Sequence, residues 1–130
     1  MPETAPSAPP VRIPSIRVTM MPRETNAHGT IFGGILLAYV DQAGAIATRP
    51  HCALVVTVKV TEVVFHAPVY VGDVVSFYAD VTRIGRTSIT VRVVVEAERW
   101  RRPDERVMVT KAELVYVNVD EERRPTPIPR

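Results

Sequence analysis

The chain divides into one short alternating segment, one continuously apolar segment and a series of long valine-rich segments. Residues 16–20 alternate between apolar and polar side chains, which predicts a short strand. Residues 34–48 are apolar at almost every position, which predicts a helix of about 15 residues, too short to cross a membrane. A helix without a polar face is expected in a core, because only other protein can cover every side of it.

After the predicted helix, valine-rich segments are separated by turn residues. The third of them alternates clearly, with valines on one face and charged residues on the other. Short connections, including a charged loop over residues 101–105, predict antiparallel neighbours. One sheet and one helix leave apolar surface uncovered, so we expect a homo-oligomer. The predicted strands are residues 54–65, 74–84, 87–100 and 106–119.

The 130 residues suit one domain with its own core. Proline-rich ends predict a disordered tail over residues 1–12 and a flexible tail over residues 121–130, leaving a single domain over residues 13–120.

A net charge of +2 is compatible with an anionic ligand, but no motif for nucleic acid binding is present. The single cysteine cannot form an internal disulfide, and the first residues do not form a signal peptide, so we expect a cytoplasmic protein.

Asp41 is the acidic residue within the apolar helix segment. A carboxylate there is costly to bury unless it is hydrogen-bonded, paired or exposed to a cleft. Two interpretations stay open from the residues alone. Asp41 is a catalytic carboxylate, or it pairs with a basic residue at a subunit contact.

The segment that precedes the helix contains further candidates. Gly33 and Gly34 open the helix, where free backbone N–H groups can polarise a carbonyl oxygen, although glycines also serve close packing or a positive φ. Asn26 can orient a water or a substrate, or simply form a turn. His28 could be a base by residue type, but a lone histidine in a loop is more often structural, and His66 is assigned no catalytic role.

Four motifs in this order resemble those of one family, the hotdog-fold acyl-CoA thioesterases of the YciA-like branch. They lie at residues 26–34, 41–44, 65–73 and 85–89, and the resemblance extends over residues 21–119. It implies an α+β hotdog fold, in which a curved antiparallel sheet wraps around one long central helix. It also implies a homo-oligomer, at least a dimer with sheets joined edge to edge and commonly a hexamer built as a trimer of dimers.

The resemblance also implies site residues. The family's helix carboxylate corresponds to Asp41, its loop asparagine to Asn26, and its glycine-rich helix start to Gly33 and Gly34. The turn that contacts the CoA part of the substrate corresponds to Gly85, Arg86, Thr87 and Ser88, which is otherwise readable as an ordinary hairpin turn. The two halves of each site are expected to come from different subunits.

The function implied is hydrolysis of acyl-CoA to a carboxylic acid and CoA, with no metal, no other cofactor, no nucleic acid and no membrane as partner. Asp41 would act as a general base or as a nucleophile. The alternatives are a non-catalytic acyl-CoA-binding hotdog module and a hotdog hydroxyacyl-thioester dehydratase. The dehydratase is disfavoured because residues 31–50 contain no histidine.

Overall fold

The computed structural model describes residues 12–130, and nearly all of the tail expected over residues 1–12 lies outside them. The described part contains one α-helix, one sheet and a short 3-10 turn at Pro22–Glu24. The elements are β1 Ile16–Thr19, α1 Gly33–Thr48, β2 Val55–Phe65, β3 Val74–Ile84, β4 Ser88–Arg99 and β5 Arg102–Asn118. The predicted strand, long helix and four further strands are therefore confirmed, with shifts at their ends.

The five strands form an antiparallel sheet in the order β1-β3-β4-β5-β2. The prediction that each of the long strands lies beside the next is wrong for β2, which pairs with β5 instead of β3. The connection between β2 and β3 is a crossing segment instead of a tight hairpin. Its Val69 carbonyl accepts a hydrogen bond from Ile31, and its Gly72 amide donates to Met20. This leaves β2 at one edge of the sheet.

The charged hairpin loop predicted over residues 101–105 is shorter in the structure. Arg99 pairs directly with Arg102, so only Trp100 and Arg101 form the turn. The remaining charged residues extend β5 beyond the core, where their side chains are exposed. Because these residues are charged, they lie outside the buried part of the sheet, yet they still form part of strand β5.

Helix α1 packs one face against the sheet. The residues buried there are Leu36, Val40, Ala43, Gly44 and Thr48. The prediction of burial on every side is not met within one chain, because Leu37 and Ile46 stay 37% and 43% exposed. No helix within residues 12–130 is long and apolar enough to span a membrane.

The last ten residues differ from the flexible tail expected for them. The Ile128 side chain is buried in the core, and its amide donates to the Arg86 carbonyl at 2.8 Å. The Asn118 amide group donates to the carbonyls of Thr126 and Pro127 at 3.0 and 3.2 Å. Prolines prevent this segment from forming a helix or central strand, yet its carbonyls and one apolar side chain are enough to fix it against the sheet.

Candidate active site

Asp41 is half-buried at the middle of α1, and its carboxylate is held by a neighbouring strand. The hydroxyl of Thr57, on β2, donates to Oδ1 of Asp41 at 2.6 Å. Among residues 12–130, no Lys or Arg side chain forms an ion pair with Asp41. Because an ionised carboxylate has further lone pairs, Asp41 keeps capacity to accept a proton or another hydrogen bond.

Thr57 is a site residue that the sequence did not reveal. Threonine is common in strands, and nothing in the alternation of β2 distinguishes this one from its neighbours. The register of β2 on β5 shifts between Thr57 and Lys59. Such irregularities redirect side chains near functional sites, and this one is visible only in the folded chain.

Tyr116 contacts the same residue from the next strand. Its phenol is buried on β5 and donates to the backbone carbonyl of Asp41 at 2.8 Å. Burial, and then the nearby Asp41 carboxylate, raise the pKa of Tyr116 well above its ordinary value. The phenol is therefore a neutral hydrogen-bond donor throughout the pH range in which such proteins work.

The start of α1 carries free amide groups and lies beside a pocket. Neither Gly33 nor Gly34 donates its backbone N–H to a backbone acceptor within residues 12–130, as expected for the first turn of a helix. Neither has a positive φ, so backbone strain does not explain them. A side chain at Gly34 would meet the Phe32 ring at 2.6 Å, whereas one at Gly33 would make only an ordinary contact with Phe65.

The pocket beside Gly33 has a volume of about 350 Å³ and is mostly apolar. Its lining consists of Ile31, Gly33, Leu36, Phe65, His66, Ala67, Pro68 and Val69. Its walls suit an uncharged acyl group, and the helix dipole favours developing negative charge at the helix start beside it.

Asn26 builds the loop that leads to this helix start. Its Oδ1 accepts from the amides of His28 and Thr30 at 2.8 and 3.2 Å, and its Nδ2 donates to the Thr30 hydroxyl at 2.9 Å. The structure therefore agrees with the interpretation of Asn26 as a turn residue. An amide group carries two N–H donors, so one N–H of Asn26 remains for a substrate or a water.

The turn expected to contact CoA joins β3 to β4. The Gly85 amide donates to the Ser88 carbonyl at 2.7 Å, and the Thr87 carbonyl accepts from Asn118 at 2.8 Å. The Arg86 side chain is exposed. Arg130 donates to the Gly85 carbonyl at 2.9 Å, so the C-terminal segment adds a second guanidinium to this turn.

These residues form two groups at opposite ends of the sheet. Asp41 lies beside Thr57 and Tyr116, which pair with each other one step from Ser88, so the carboxylate and the Gly85 turn are at one end. Gly33 lies against Phe65, at the other end of β2. Gly33 and Asp41 are eight helical steps apart, which is about 12 Å along the axis. One chain therefore does not bring the carboxylate and the helix start together.

The remaining candidates have structural roles or none. His66 donates its backbone amide to Val109 at 2.7 Å and lines the pocket, while His28 is exposed in the loop. Burial raises the pKa of Cys52, which favours an unreactive thiol. In the described part of the chain, no cluster of His, Cys, Asp and Glu side chains could hold a metal ion.

Residues 28–102 match the family model of the thioesterase superfamily. An uncharacterised acyl-CoA thioester hydrolase of Zymomonas mobilis is 44% identical over 92% of this chain and 80% of its own length. The acyl-CoA thioester hydrolase YciA of Salmonella typhimurium is 39% identical over 88% of both chains. A hexameric hotdog-fold thioesterase of Campylobacter jejuni superposes with a TM-score of 0.85 at 40% identity, covering 89% of this chain and 90% of that one.

Three observations agree with one another: the sequence match, the shared fold, and a carboxylate on the central helix that pairs with no cation among residues 12–130. The chain belongs to the thioesterase superfamily, in the hotdog-fold group of acyl-CoA thioester hydrolases that includes YciA.

Proposed function

We propose that this protein hydrolyses acyl-CoA thioesters at sites built by two copies of the chain, with Asp41 as the catalytic carboxylate. The observation that carries the proposal is the environment of Asp41. It is half-buried, fixed by the Thr57 hydroxyl and without an ion pair among the described residues. A carboxylate held in this way is oriented but not neutralised, as a base or nucleophile requires.

The chemistry divides between the two groups of residues. As a general base, Asp41 takes a proton from water while the water oxygen bonds to the thioester carbon. The C–S bond then breaks, and the CoA sulfur leaves as a thiolate that is protonated to the thiol. As a nucleophile, the carboxylate forms the C–O bond itself, the C–S bond breaks and the CoA thiolate leaves, and water later cleaves the resulting anhydride.

In both routes the carbonyl oxygen gains negative charge, and we assign its stabilisation to the free N–H groups of Gly33 and Gly34. We assign the spare N–H of Asn26 to the same carbonyl or to the attacking water. The pocket beside Gly33 takes the acyl group. The Gly85 turn, with exposed Arg86, takes the CoA phosphates or the pantetheine arm, because guanidinium groups suit phosphate oxygens.

Two observations support a site that is shared between copies. The carboxylate and the helix start are separated within one chain, and one edge of the sheet is uncovered. Strand β2 is eleven residues long and has no partner on its outer side among residues 12–130. Val58, Val60 and Phe65 on it are 55%, 47% and 47% exposed. A second copy paired antiparallel along β2 would bring its own helix start towards Asp41 and cover these side chains.

The Campylobacter relative is hexameric, and we propose the same assembly here, as a trimer of dimers. Light scattering on an active sample is expected to give a multiple of the 14.4 kDa chain mass. An active monomer would contradict the shared site.

The substitution Asp41→Asn tests the catalytic assignment. Asparagine keeps an oxygen that can accept from Thr57 but can neither take the proton nor attack. We expect kcat on an acyl-CoA to fall by about 100-fold or more, with the fold retained by circular dichroism. Asp104→Asn is the matched control, because that carboxylate is exposed on β5, and it should keep full activity.

Thiol release followed with a thiol reagent measures both variants. If Asp41→Asn is folded and turns over normally, the catalytic assignment is wrong. If even the wild-type protein binds acyl-CoA without releasing thiol, the chain is a binding module, which is the alternative function.

A further inference from the structure

We propose that Tyr116 and Gly44 form a positioning device for Asp41, in which the Tyr116 hydroxyl fixes the backbone that carries the catalytic carboxylate. The inference rests on the proposed function, since it needs Asp41 to be the catalytic group. It assigns a role in the reaction to a fully buried core side chain.

Tyr116 approaches the helix through an opening that only glycine provides. A Cβ atom on Gly44 would overlap the Tyr116 hydroxyl oxygen and lie 2.9 Å from the ring carbon that bears it. Side-chain atoms do not pack this closely, so any other residue at Gly44 would displace the phenol. Gly44 is buried in α1 at the turn that follows Asp41, where glycine lowers helix stability. The contact with Tyr116 explains why the helix contains glycine there.

The phenol enters this opening at a definite point. Its hydroxyl donates to the Asp41 carbonyl at 2.8 Å, and its ring is fully buried. A fully buried aromatic ring has little freedom to move, so the hydroxyl sets the position of the Asp41 peptide group relative to β5.

Thr57 completes the device from the neighbouring strand. Thr57 and Tyr116 are directly paired across β2 and β5. One of them holds the carboxylate of Asp41 at 2.6 Å and the other holds its carbonyl at 2.8 Å. Asp41 is therefore fixed at two points by one cross-strand pair. The positions of the Asp41 backbone and of its side chain are then set by the sheet as well as by the helix.

The kinetic consequence is specific. The Tyr116 hydroxyl is buried against α1, whereas the Arg86 side chain is exposed. Losing that hydroxyl should therefore leave the proposed CoA contacts, and with them substrate binding, unchanged. It should instead misplace Asp41, and small displacements of a catalytic group are expensive in rate. We expect Tyr116→Phe to lower kcat by about 10-fold with KM for an acyl-CoA unchanged.

The decisive measurement is a double-mutant cycle with Asp41→Asn. If Tyr116 acts through Asp41, adding Tyr116→Phe to Asp41→Asn should cause no further loss in the residual turnover, measured at raised enzyme concentration. A merely structural role would lower turnover in both backgrounds by the same factor. Tyr78→Phe is the control, because that phenol on β3 makes no hydrogen bond among the described residues, and it should leave kcat unchanged.

Gly44→Ala tests the same contact from the helix. Its added methyl group would displace the hydroxyl, and we expect a loss of kcat at least as large as that of Tyr116→Phe, again with KM retained. Gly44→Ala also tests the proposal if Tyr116→Phe does not fold.

Three results would each overturn the proposal. They are normal turnover in a folded Tyr116→Phe variant, a rise in KM with kcat unchanged, and an equal fall in turnover in both Asp41 backgrounds. Failure of the proposed function would look different, because Asp41→Asn alone would then keep its activity.

Discussion

Mixing two inactive variants tests whether the site is divided between copies. One variant, Asp41→Asn, loses the carboxylate. The other, Gly33→Pro, loses the amide N–H at the helix start. Proline is well tolerated at the first helical position, and Phe32 before it has φ −61° and ψ 128°, which suits a following proline. A Cβ at Gly33 meets only the Phe65 ring, at 3.6 Å, so the fold should be retained.

The expected recovery follows from the separation of the two groups. In a mixed dimer, one site receives an intact carboxylate from one copy and an intact helix start from the other. The second site receives both defects. Random pairing of equal amounts makes about half of the dimers mixed, so about a quarter of all sites should be intact. Each variant alone should keep about 1% of wild-type activity or less.

The assay is thiol release from an acyl-CoA after the two variants are unfolded together and refolded. A mixture of Asp41→Asn with Thr57→Val is the control, because both changes affect the same group and no intact site can form. Activity of the first mixture no higher than the mean of its two components would place the complete site within one chain and refute the division.

Two further outcomes are expected. Arg86→Ala should raise KM for an acyl-CoA more than it lowers kcat, with little effect on the matching acyl-pantetheine, because Arg86 would contact only the distant phosphates. Equal losses of activity on both substrates would show that Arg86 does not bind the CoA phosphates. Stability should fall as pH rises above about 10, because the Tyr116 phenol ionises in the unfolded chain near its ordinary pKa of 10.0 but stays protonated in the fold, so the unfolded state binds fewer protons there. Denaturation midpoints at pH 8 and pH 10.5 should differ less in Tyr116→Phe than in the wild type, and an equal fall in both would contradict this linkage.

The elements of the fold were predictable because their patterns are local. Apolar runs and alternation located α1 and the long strands within a few residues of their ends. Strand order was not predictable, since it depends on where the segment between β2 and β3 crosses. Its anchoring hydrogen bonds, such as the one from Gly72 to Met20, join residues far apart in the chain. Proline content also gave no sign that Ile128 is buried.

The candidate site was predictable where a residue type conflicts with its surroundings. Asp41 is conspicuous as an acid within an apolar helix. Thr57 and Tyr116 are ordinary strand residues, and their role depends on the register that places both beside Asp41. The sequence shows Gly44 only as part of the motif at residues 41–44, because the role of a glycine is visible only when the side chain that fills its space is known.

The uncovered edge of β2 also bears on how the protein is made. A newly synthesised chain that has folded but not yet met a second copy exposes a long valine-rich strand edge, which is a template for unwanted pairing. Charged Lys59 and Glu62, with register shifts beside them, interrupt that edge. They would slow pairing with unrelated strands while the correct partner, with matching irregularities, still fits. Yield in overproduction should therefore depend on how quickly each chain meets a second copy, and slower synthesis at lower temperature should favour assembly over aggregation.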